Sequence, residues 1–275
     1  MNNLPKGQSY LCGQANQPLL YETIGACVER IAATYPDKEA LVVRHQNIRW
    51  TFSEYKSRID ALAAGLVSLG VEPGDRVGIW SPNRVEWCLT QFATAKIGAI
   101  MVCINPAYRP YELEYALNKV KCQTIITAAQ FKTSEYLRML QEMAPELATC
   151  EPGELKSIKL PHLTTVIRMG DAVSPGMFNF DKVCEMGEDT HYDRMAEIAP
   201  TLQADDAINI QFTSGTTGSP KGATLSHFNI LNNGLQVGAG MRFTSEDRLC
   251  IPVPLYHCFG MVMGNLACTS HGATM

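Results

Sequence analysis

Chemically useful residues are most concentrated in residues 213–222, which read TSGTTGSPKG. The glycines allow close approach of the backbone to a ligand, and Lys221 carries a mobile positive charge. Backbone N–H groups in such a loop, placed directly after a strand, can hold phosphate oxygens. Five hydroxyl side chains add further donors: Thr213, Ser214, Thr216, Thr217 and Ser219. The segment is therefore a candidate phosphate-binding loop.

Two other phosphate-binding patterns do not fit this segment. A Walker A loop places its lysine between glycine and serine or threonine, whereas Lys221 lies between Pro220 and Gly222. The dinucleotide pattern Gly-x-Gly-x-x-Gly is also absent from the segment. The composition alone leaves a flexible linker open, but a buried strand before the segment and a capped helix after it favour a structured loop.

The hydroxyl and backbone donors should matter more for binding than the single charge. A hydrogen bond to a charged partner contributes roughly 1.5–3 kcal/mol, so the distributed donors should outweigh Lys221 in holding a triphosphate. We expect Lys221 to matter more for the charge that develops on a leaving pyrophosphate.

A second candidate segment, residues 254–260, reads PLYHCFG and contains His257. Histidine exchanges protons near neutral pH, but a lone histidine between Tyr256 and Cys258 is more often a packed loop residue. The other histidines, at positions 45, 162, 191, 227 and 271, lack the spacing of metal ligands. The sequence therefore predicts no certain metal site.

Composition limits the possible classes of function. The net charge of −4 gives no basic field for nucleic acid. The longest apolar run, residues 97–104, is too short to cross a bilayer, so we expect no transmembrane segment. The ten cysteines contain no Cys-x-x-Cys pair and lie mostly in apolar segments, which indicates reduced thiols in an intracellular protein.

Helical and extended patterns alternate along the chain and would position both candidate segments. Thr51 and Glu54 form a capping box before a helix that ends at Gly70, and Ser226 is the expected N-cap of a later helix. Other helices are predicted at 21–35, 83–97, 111–120 and 260–271, and strands at 40–43, 48–52, 76–80, 99–104, 124–128, 164–168, 207–212 and 248–251. Residues 145–161 are predicted to run over the surface. Core positions are predicted for Trp87, Phe92, Met261 and Met263.

These repeated helix–strand units predict an α/β fold of mainly parallel sheets flanked by helices in layers. We divide the chain into an N-terminal extension, 1–20, and one incomplete domain, 21–275. Within that domain we expect a doubly wound layer over about 21–130, a connecting region over about 131–203 and a phosphate-loop region over 204–275. Residues 272–275 read as the opening of a strand, which predicts that the chain is a fragment of a longer protein.

Residues 213–222 resemble the signature loop of the adenylate-forming superfamily, which includes acyl- and aryl-CoA synthetases, luciferases and peptide-synthetase adenylation domains. The resemblance runs from about Leu20 to the last residue and includes the segments 74–80, 105–113, 205–208 and 223–229. In finer detail the chain is similar to medium-chain acyl-CoA synthetases of the mitochondrial type. The resemblance implies that the fold is part of the large N-terminal AMP-binding domain.

The resemblance also implies an AMP-forming acid–thiol ligase, and Lys221, Thr217 and His257 would be its catalytic residues. The carboxylic acid is expected to be a medium-chain fatty acid. It would react with Mg²⁺-bound ATP to give an acyl adenylate and pyrophosphate, and CoA would then displace AMP. The implied ATP contacts are Thr213, Ser214, Gly215, Thr216, Thr217, Gly218, Ser219, Pro220 and Lys221. Thr216 or Thr217 would help to order the magnesium ion, and the implied substrate-lining residues are Tyr256, His257 and Phe259. The implied compartment is the mitochondrial matrix or the cytoplasm.

Some elements of the resembled family do not occur in these 275 residues, including an aromatic-Gly-x-Thr-Glu segment and a C-terminal domain with a catalytic lysine. We therefore expect the chain alone to be inactive, which hydroxamate formation from a fatty acid, ATP and hydroxylamine would test. Two alternatives stay open: an aryl-CoA ligase or another adenylating enzyme, and a truncated, non-catalytic nucleotide-binding protein.

Overall fold

The computed structural model describes residues 18–213 and 220–275. Six of the residues implied to contact ATP, positions 214–219, therefore lie outside the described residues, and Thr217 is among them. The other proposed site residues are described: Thr213, Pro220, Lys221, Tyr256, His257 and Phe259.

Helices and strands alternate through most of the described chain. The helices are α1 (Ile24–Thr34), α2 (Phe52–Ser68), α3 (Val85–Lys96), α4 (Pro110–Lys119), α5 (Tyr136–Met143), α6 (Phe180–Glu185), α7 (Asp189–Ile198), α8 (His227–Gly240), α9 (Cys258–Gly260) and α10 (Ala267–His271), and a π-helix, Met261–Leu266, joins the last two. The strands are β1 (Glu39–Val43), β2 (Ile48–Thr51), β3 (Arg76–Trp80), β4 (Ile100–Cys103), β5 (Thr124–Thr127), β6 (Thr165–Arg168), β7 (Phe178–Asn179), β8 (Ala207–Thr213) and β9 (Lys221–Ser226).

Seven of these strands form one sheet in the order β7-β6-β5-β3-β4-β8-β9. Every adjacent pair is parallel except β8 and β9, which are antiparallel. The chain runs through α3 from β3 to β4 and then returns through α4 to β5, on the other side of β3. Because parallel crossovers are right-handed, these opposite moves place α3 and α4 on opposite faces. The predicted α/β class, with a mainly parallel sheet flanked by helices, is confirmed.

The predicted helix starts are confirmed. Thr51 Oγ1 accepts from the N–H of Glu54 at 3.2 Å, and the carboxylate of Glu54 accepts from the N–H of Thr51 at 2.8 Å. Ser226 caps α8 in the same way, through a hydrogen bond from the N–H of Asn229 at 3.2 Å. Each cap satisfies an N–H group that the first helical turn leaves without a partner.

The strands predicted near residues 40–52 do not join the main sheet. β1 and β2 pair antiparallel as a separate hairpin. The predicted strand at 248–251 is wrong, because only Arg248 forms a bridge, with Thr274. Residues 273–275 lie beside β1: the N–H of Met275 donates to the carbonyl oxygen of Ala40 at 2.8 Å. The predicted opening of a strand at 272–275 thus corresponds to backbone pairing in a second, smaller layer.

Two predictions about burial also need correction. Trp87, Phe92 and Met261 are fully buried as predicted, but Met263 is 36% exposed. The segment 145–161 does not simply run over the surface, since its leucines pack into the core: Leu147, Leu155 and Leu160. Leucine spacing outside a regular helix or strand gives no periodic signal, which is why their burial was not predicted.

The strands of the main sheet come from all three regions into which the sequence was divided, and the proposed domain boundaries stay a prediction.

Five of the nine described cysteines are buried, and none of the nine forms a disulfide. In the described part of the chain, no helix combines the length and the apolar character needed to cross a membrane.

Candidate functional site

Both ends of the candidate phosphate loop lie next to each other on adjacent strands. Thr213, the last residue of β8, pairs directly with Lys221, the first residue of β9. The Thr213 hydroxyl also donates to the carbonyl oxygen of Lys221 at 3.4 Å. Both side chains are exposed at the carboxyl end of β8. The antiparallel strand β9, which the sequence analysis missed, therefore closes the loop as a hairpin.

The sequence signal for β9 is weak because Gly222 and the exposed residues after it interrupt any alternation. A Cβ atom at Gly222 would lie 3.1 Å from Cγ2 of Ile210 on the neighbouring strand. That distance is tighter than ordinary van der Waals contact, so glycine lets β9 approach β8 closely. Glycine is thus needed at position 222 for packing between the strands. The loop pattern alone did not indicate this requirement.

Helix α4 supports the second end of the loop. The Tyr115 hydroxyl donates to the carbonyl oxygen of Pro220 at 3.2 Å. Tyr108, which lies just before α4, is half-buried, and burial raises the pKa of its phenol, with smaller contributions from Glu112, Tyr256 and Tyr115. Through Tyr115, α4 therefore holds Pro220 directly before the start of β9.

His257 lies on the segment between Val253 and α9, with its ring exposed to solvent. Of the two interpretations left open for this histidine, exposure disfavours a packed loop residue, and its catalytic role stays a prediction. Nδ1 of His257 accepts a hydrogen bond from the N–H of Phe259 at 3.1 Å, so the ring caps the short helix α9. Because Nδ1 accepts, Nε2 is the nitrogen left to carry the proton in the neutral ring. Tyr256 is half-buried, and Phe259 is 53% exposed.

Contacts of Met261 join the segment that carries His257 to β8, the strand before the candidate phosphate loop. The N–H of Met261 donates to the carbonyl oxygen of His257 at 3.1 Å. Its sulfur lies 3.0 Å from Nε2 of Gln211 and 3.8 Å from Sγ of Cys103. Gln211 precedes Thr213 by two residues on β8. His257 is thus connected through Met261 to the strand that ends in Thr213, and among the described residues no hydrogen bond joins His257 to Thr213 or Lys221.

The end of β3 also contributes to this edge. Asn83 hydrogen-bonds to the backbone of the His257 segment, and Trp80 Nε1 donates to the carbonyl oxygen of Asn105 at 3.2 Å. Since adjacent strands lie about 4.8 Å apart, and β4 alone separates β3 from β8, the two ends are about 10 Å apart. Ligands of open α/β sheets bind at the carboxyl ends of the strands, which is where these residues meet. Sequence reasoning did not single out Asn83 or Tyr115, because neither belongs to a chemical motif.

The thiols near this edge are poor nucleophiles. Burial raises the pKa of Cys103 to about 12, and it also raises the pKa of Cys258. Only the thiolate is strongly nucleophilic, so both groups are unreactive at neutral pH. Among residues 18–213 and 220–275, no cluster of histidine, cysteine and acidic side chains could hold a metal ion by itself.

A family model described as AMP-binding enzyme matches residues 28–275. The chain belongs to this family. The relatives it matches include medium-chain acyl-CoA ligase ACSF2, mitochondrial, of Bos taurus, which is 47% identical over 98% of the chain. The same protein of Homo sapiens is 46% identical over 98% of the chain. Putative acyl-CoA synthetase YngI of Bacillus subtilis is 41% identical over 94%.

Solved structures of similar fold include two CoA ligases, each covering most of this AMP-binding enzyme chain. The anthranilate CoA ligase AuaEII in complex with anthranoyl-AMP has a TM-score of 0.79 at 23% identity, with 94% of this chain and 45% of that one covered. A long-chain-fatty-acid-CoA ligase, FadD1, from Archaeoglobus fulgidus has a TM-score of 0.76 at 21% identity, with coverage of 97% and 48%. At these identities the likeness establishes the shared fold.

The chain spans less than half the length of the relatives it matches. It covers 44% of the Bos taurus and Homo sapiens ligases and 47% of the Bacillus subtilis protein. The relatives' names therefore describe proteins about twice as long as this chain.

Proposed function

We propose that the complete protein is an AMP-forming acyl-CoA ligase that acts on a medium-chain fatty acid. The observation that carries this proposal is the antiparallel pairing of Thr213 with Lys221, which closes the signature loop of an AMP-binding enzyme at a sheet edge. Sequence identity of 46–47% to medium-chain acyl-CoA ligases supports the choice of acid.

In this proposal, residues 213–221 hold the β- and γ-phosphates of ATP. The β8–β9 hairpin holds the two ends of the loop, Thr213 and Lys221, side by side. Lys221 adds a charge beside the phosphates, where it stabilises the pyrophosphate that leaves. Tyr115 limits movement at Pro220 through its hydrogen bond.

Mg²⁺ bound to the triphosphate would neutralise part of the phosphate charge. Mg²⁺ usually binds through substrate phosphates and few protein ligands, and hydroxyl-bearing residues suit this coordination. We propose Thr216 or Thr217 as the protein groups nearest the ion, and both lie outside the described residues.

The His257 segment is the proposed boundary of the carboxylate and CoA path. Nδ1 of His257 caps α9, so Nε2 is the ring nitrogen left to donate a hydrogen bond to a carboxylate or an acyl phosphate. Tyr256 and Phe259 flank it and provide aromatic surface beside an acyl chain.

The test is product analysis with the complete protein, ATP, CoA and saturated fatty acids of increasing chain length. The proposal predicts acyl-CoA, AMP and pyrophosphate in equal amounts, with the highest kcat/KM for medium chains. Preference for an aromatic acid would support an aryl-CoA ligase instead. ATP binding without turnover of any acid would support a non-catalytic nucleotide-binding protein.

We also propose a mitochondrial location, because the ligases at 46–47% identity carry that designation. Imaging of the complete protein with a C-terminal fluorescent tag checks this proposal. Co-localisation with a matrix marker is the expected result, and diffuse cytoplasmic signal would contradict it.

A further inference from the structure

Asn83, which lies between β3 and α3, binds the backbone of the His257 segment with both halves of its side-chain amide. Its Nδ2 donates to the carbonyl oxygen of Val253 at 2.8 Å, and its Oδ1 accepts from the N–H of Leu255 at 2.8 Å. A carboxylate lacks the donor and an aliphatic side chain lacks both groups, so the pair of bonds selects an amide. These two hydrogen bonds hold residues 253–255 against the connection between β3 and α3.

A second amide from α3 holds the other end of the segment. Gln91, only 3% exposed, donates from Nε2 to the carbonyl oxygen of Met261 at 3.2 Å. Its Oε1 accepts from Nδ2 of Asn265 at 2.8 Å. The segment that carries His257 is therefore attached to one connection and one helix, before and after the histidine.

The chain between these two attachments is compact. The N–H of Gly260 donates to the carbonyl oxygen of His257 at 2.9 Å. A Cβ atom at Gly260 would lie 2.5 Å from the carbonyl oxygen of Pro254, which leaves no room for a side chain. Because the loop packs against its own backbone, displacement at Asn83 should pass to the His257 ring instead of being absorbed between them.

We propose that Asn83 is a positioning residue for His257. It acts by holding residues 253–255, and through them it fixes the ring so that Nδ1 caps α9 and Nε2 carries the proton. The part of this proposal that concerns the reacting carboxylate rests on the proposed function, whereas the link from Asn83 to the ring does not.

The test compares Asn83→Ser with Asn232→Ser in the 275-residue chain. Asn232 is a matched control, because its side-chain amide also both accepts and donates a backbone hydrogen bond. Its Oδ1 accepts from the N–H of Leu20 at 2.7 Å, and its Nδ2 donates to the carbonyl oxygen of Leu20 at 2.8 Å. Amide hydrogen exchange measures the local opening, and ¹⁵N NMR of the His257 ring, assigned with His257→Gln, reports which nitrogen carries the proton.

Asn83→Ser should speed exchange at the N–H groups of Leu255 and Phe259 by about tenfold, since each depends on a hydrogen bond that the variant removes or loosens. The ring should lose its preference for the proton on Nε2. Asn232→Ser should speed exchange at Leu20 and leave Leu255, Phe259 and the His257 ring unchanged. Exchange in β5 should stay the same in both variants.

If Asn83→Ser does not fold, Asn83→Asp replaces it, because the carboxylate keeps an acceptor for Leu255 and loses only the donor to Val253. For Asn83→Ser, wild-type exchange at Leu255 and Phe259 together with a wild-type ring spectrum would overturn the positioning role. For Asn83→Asp, which keeps the acceptor for Leu255, wild-type exchange at Phe259 with a wild-type ring spectrum would overturn it. In the complete protein, a loosened ring with unchanged ligase rates would leave Asn83 as the positioning residue and refute the proposed role of His257.

Discussion

Lys221 differs from the loop hydroxyls because it combines a full charge with an exposed position at the start of β9. Its backbone is held by pairing with Thr213, so its side chain can be changed with little effect on the fold. This separation of backbone and side-chain roles makes Lys221 a suitable residue for testing the proposed binding of ATP and release of pyrophosphate.

We predict that Lys221→Ala in the complete protein weakens ATP binding less than about tenfold but lowers kcat for adenylation by about 10²–10³-fold. The reason is that many donors share the ground-state triphosphate, whereas the leaving pyrophosphate gains charge beside this lysine. Calorimetry with ATP and single-turnover kinetics measure the two effects. A large loss of affinity with unchanged kcat would contradict the assignment.

His227, the first residue of α8, is buried, and its Nδ1 accepts from the N–H of Ile24 at 3.1 Å. His227 therefore packs between α8 and the start of α1. Burial lowers the pKa of His227 to about 4, with a smaller opposing contribution from Asp206. The folded protein therefore keeps the ring neutral under conditions in which the unfolded chain binds a proton.

Because the folded-state pKa lies below the unfolded value of about 6.5, the contribution of His227 to stability is complete above pH 6.5 and falls as the pH drops towards 4. The free energy of unfolding should fall by about 1.5 kcal/mol between pH 6.5 and 5 from this residue. Urea unfolding across this range measures the effect. His227→Asn, which keeps an acceptor for Ile24, should show a shallower pH dependence, and identical slopes for both proteins would refute the prediction.

Among the elements, the helix starts were predictable because capping uses residues close together in sequence. Thr51 with Glu54 and Ser226 with Asn229 satisfy N–H groups within one turn. The β8–β9 pairing was not predictable, because most residues of β9 are exposed. In addition, a glycine-rich loop separates the two strands in the sequence. The π-helix at Met261–Leu266 was not predictable either, since its apolar spacing resembles that of an α-helix.

Gly234 tests the packing of α8 against that π-helix. A Cβ atom there would lie 2.8 Å from Cβ of Leu266 and 3.0 Å from its carbonyl carbon. We predict that Gly234→Ala lowers the free energy of unfolding by about 1–3 kcal/mol, because α8 would have to move away from its neighbour.

Gly240 on the same helix is the matched control, since a Cβ atom there meets nothing within 4 Å. Gly240→Ala should leave stability unchanged or raise it by up to about 1 kcal/mol, because alanine loses less backbone entropy on folding. Urea unfolding of both variants gives the comparison. Equal stability of the two variants would mean that α8 and the π-helix do not pack as described.

For the whole molecule, alternation of helices and strands was sufficient to predict the α/β class but not the strand order. The position of β8 beside β4 depends on contacts between residues more than one hundred positions apart, such as Met101 with Asn209. Likewise, residues 39–51 have strand-like sequences, yet they form a separate hairpin, because local pattern does not specify the partner of a strand. The identity of the candidate loop could be predicted, whereas its closure by β9 and its neighbours Tyr115 and Asn83 required the fold.

The proposed role of the loop that Thr213 and Lys221 close is adenylation of a fatty acid. Its most direct test is exchange of labelled pyrophosphate into ATP by the complete protein, with and without a fatty acid and in the absence of CoA. If the loop has this role, exchange requires the acid, is fastest with medium chains and is strongly reduced by Lys221→Ala. A folded, ATP-binding protein that catalyses no exchange with any carboxylic acid would contradict it.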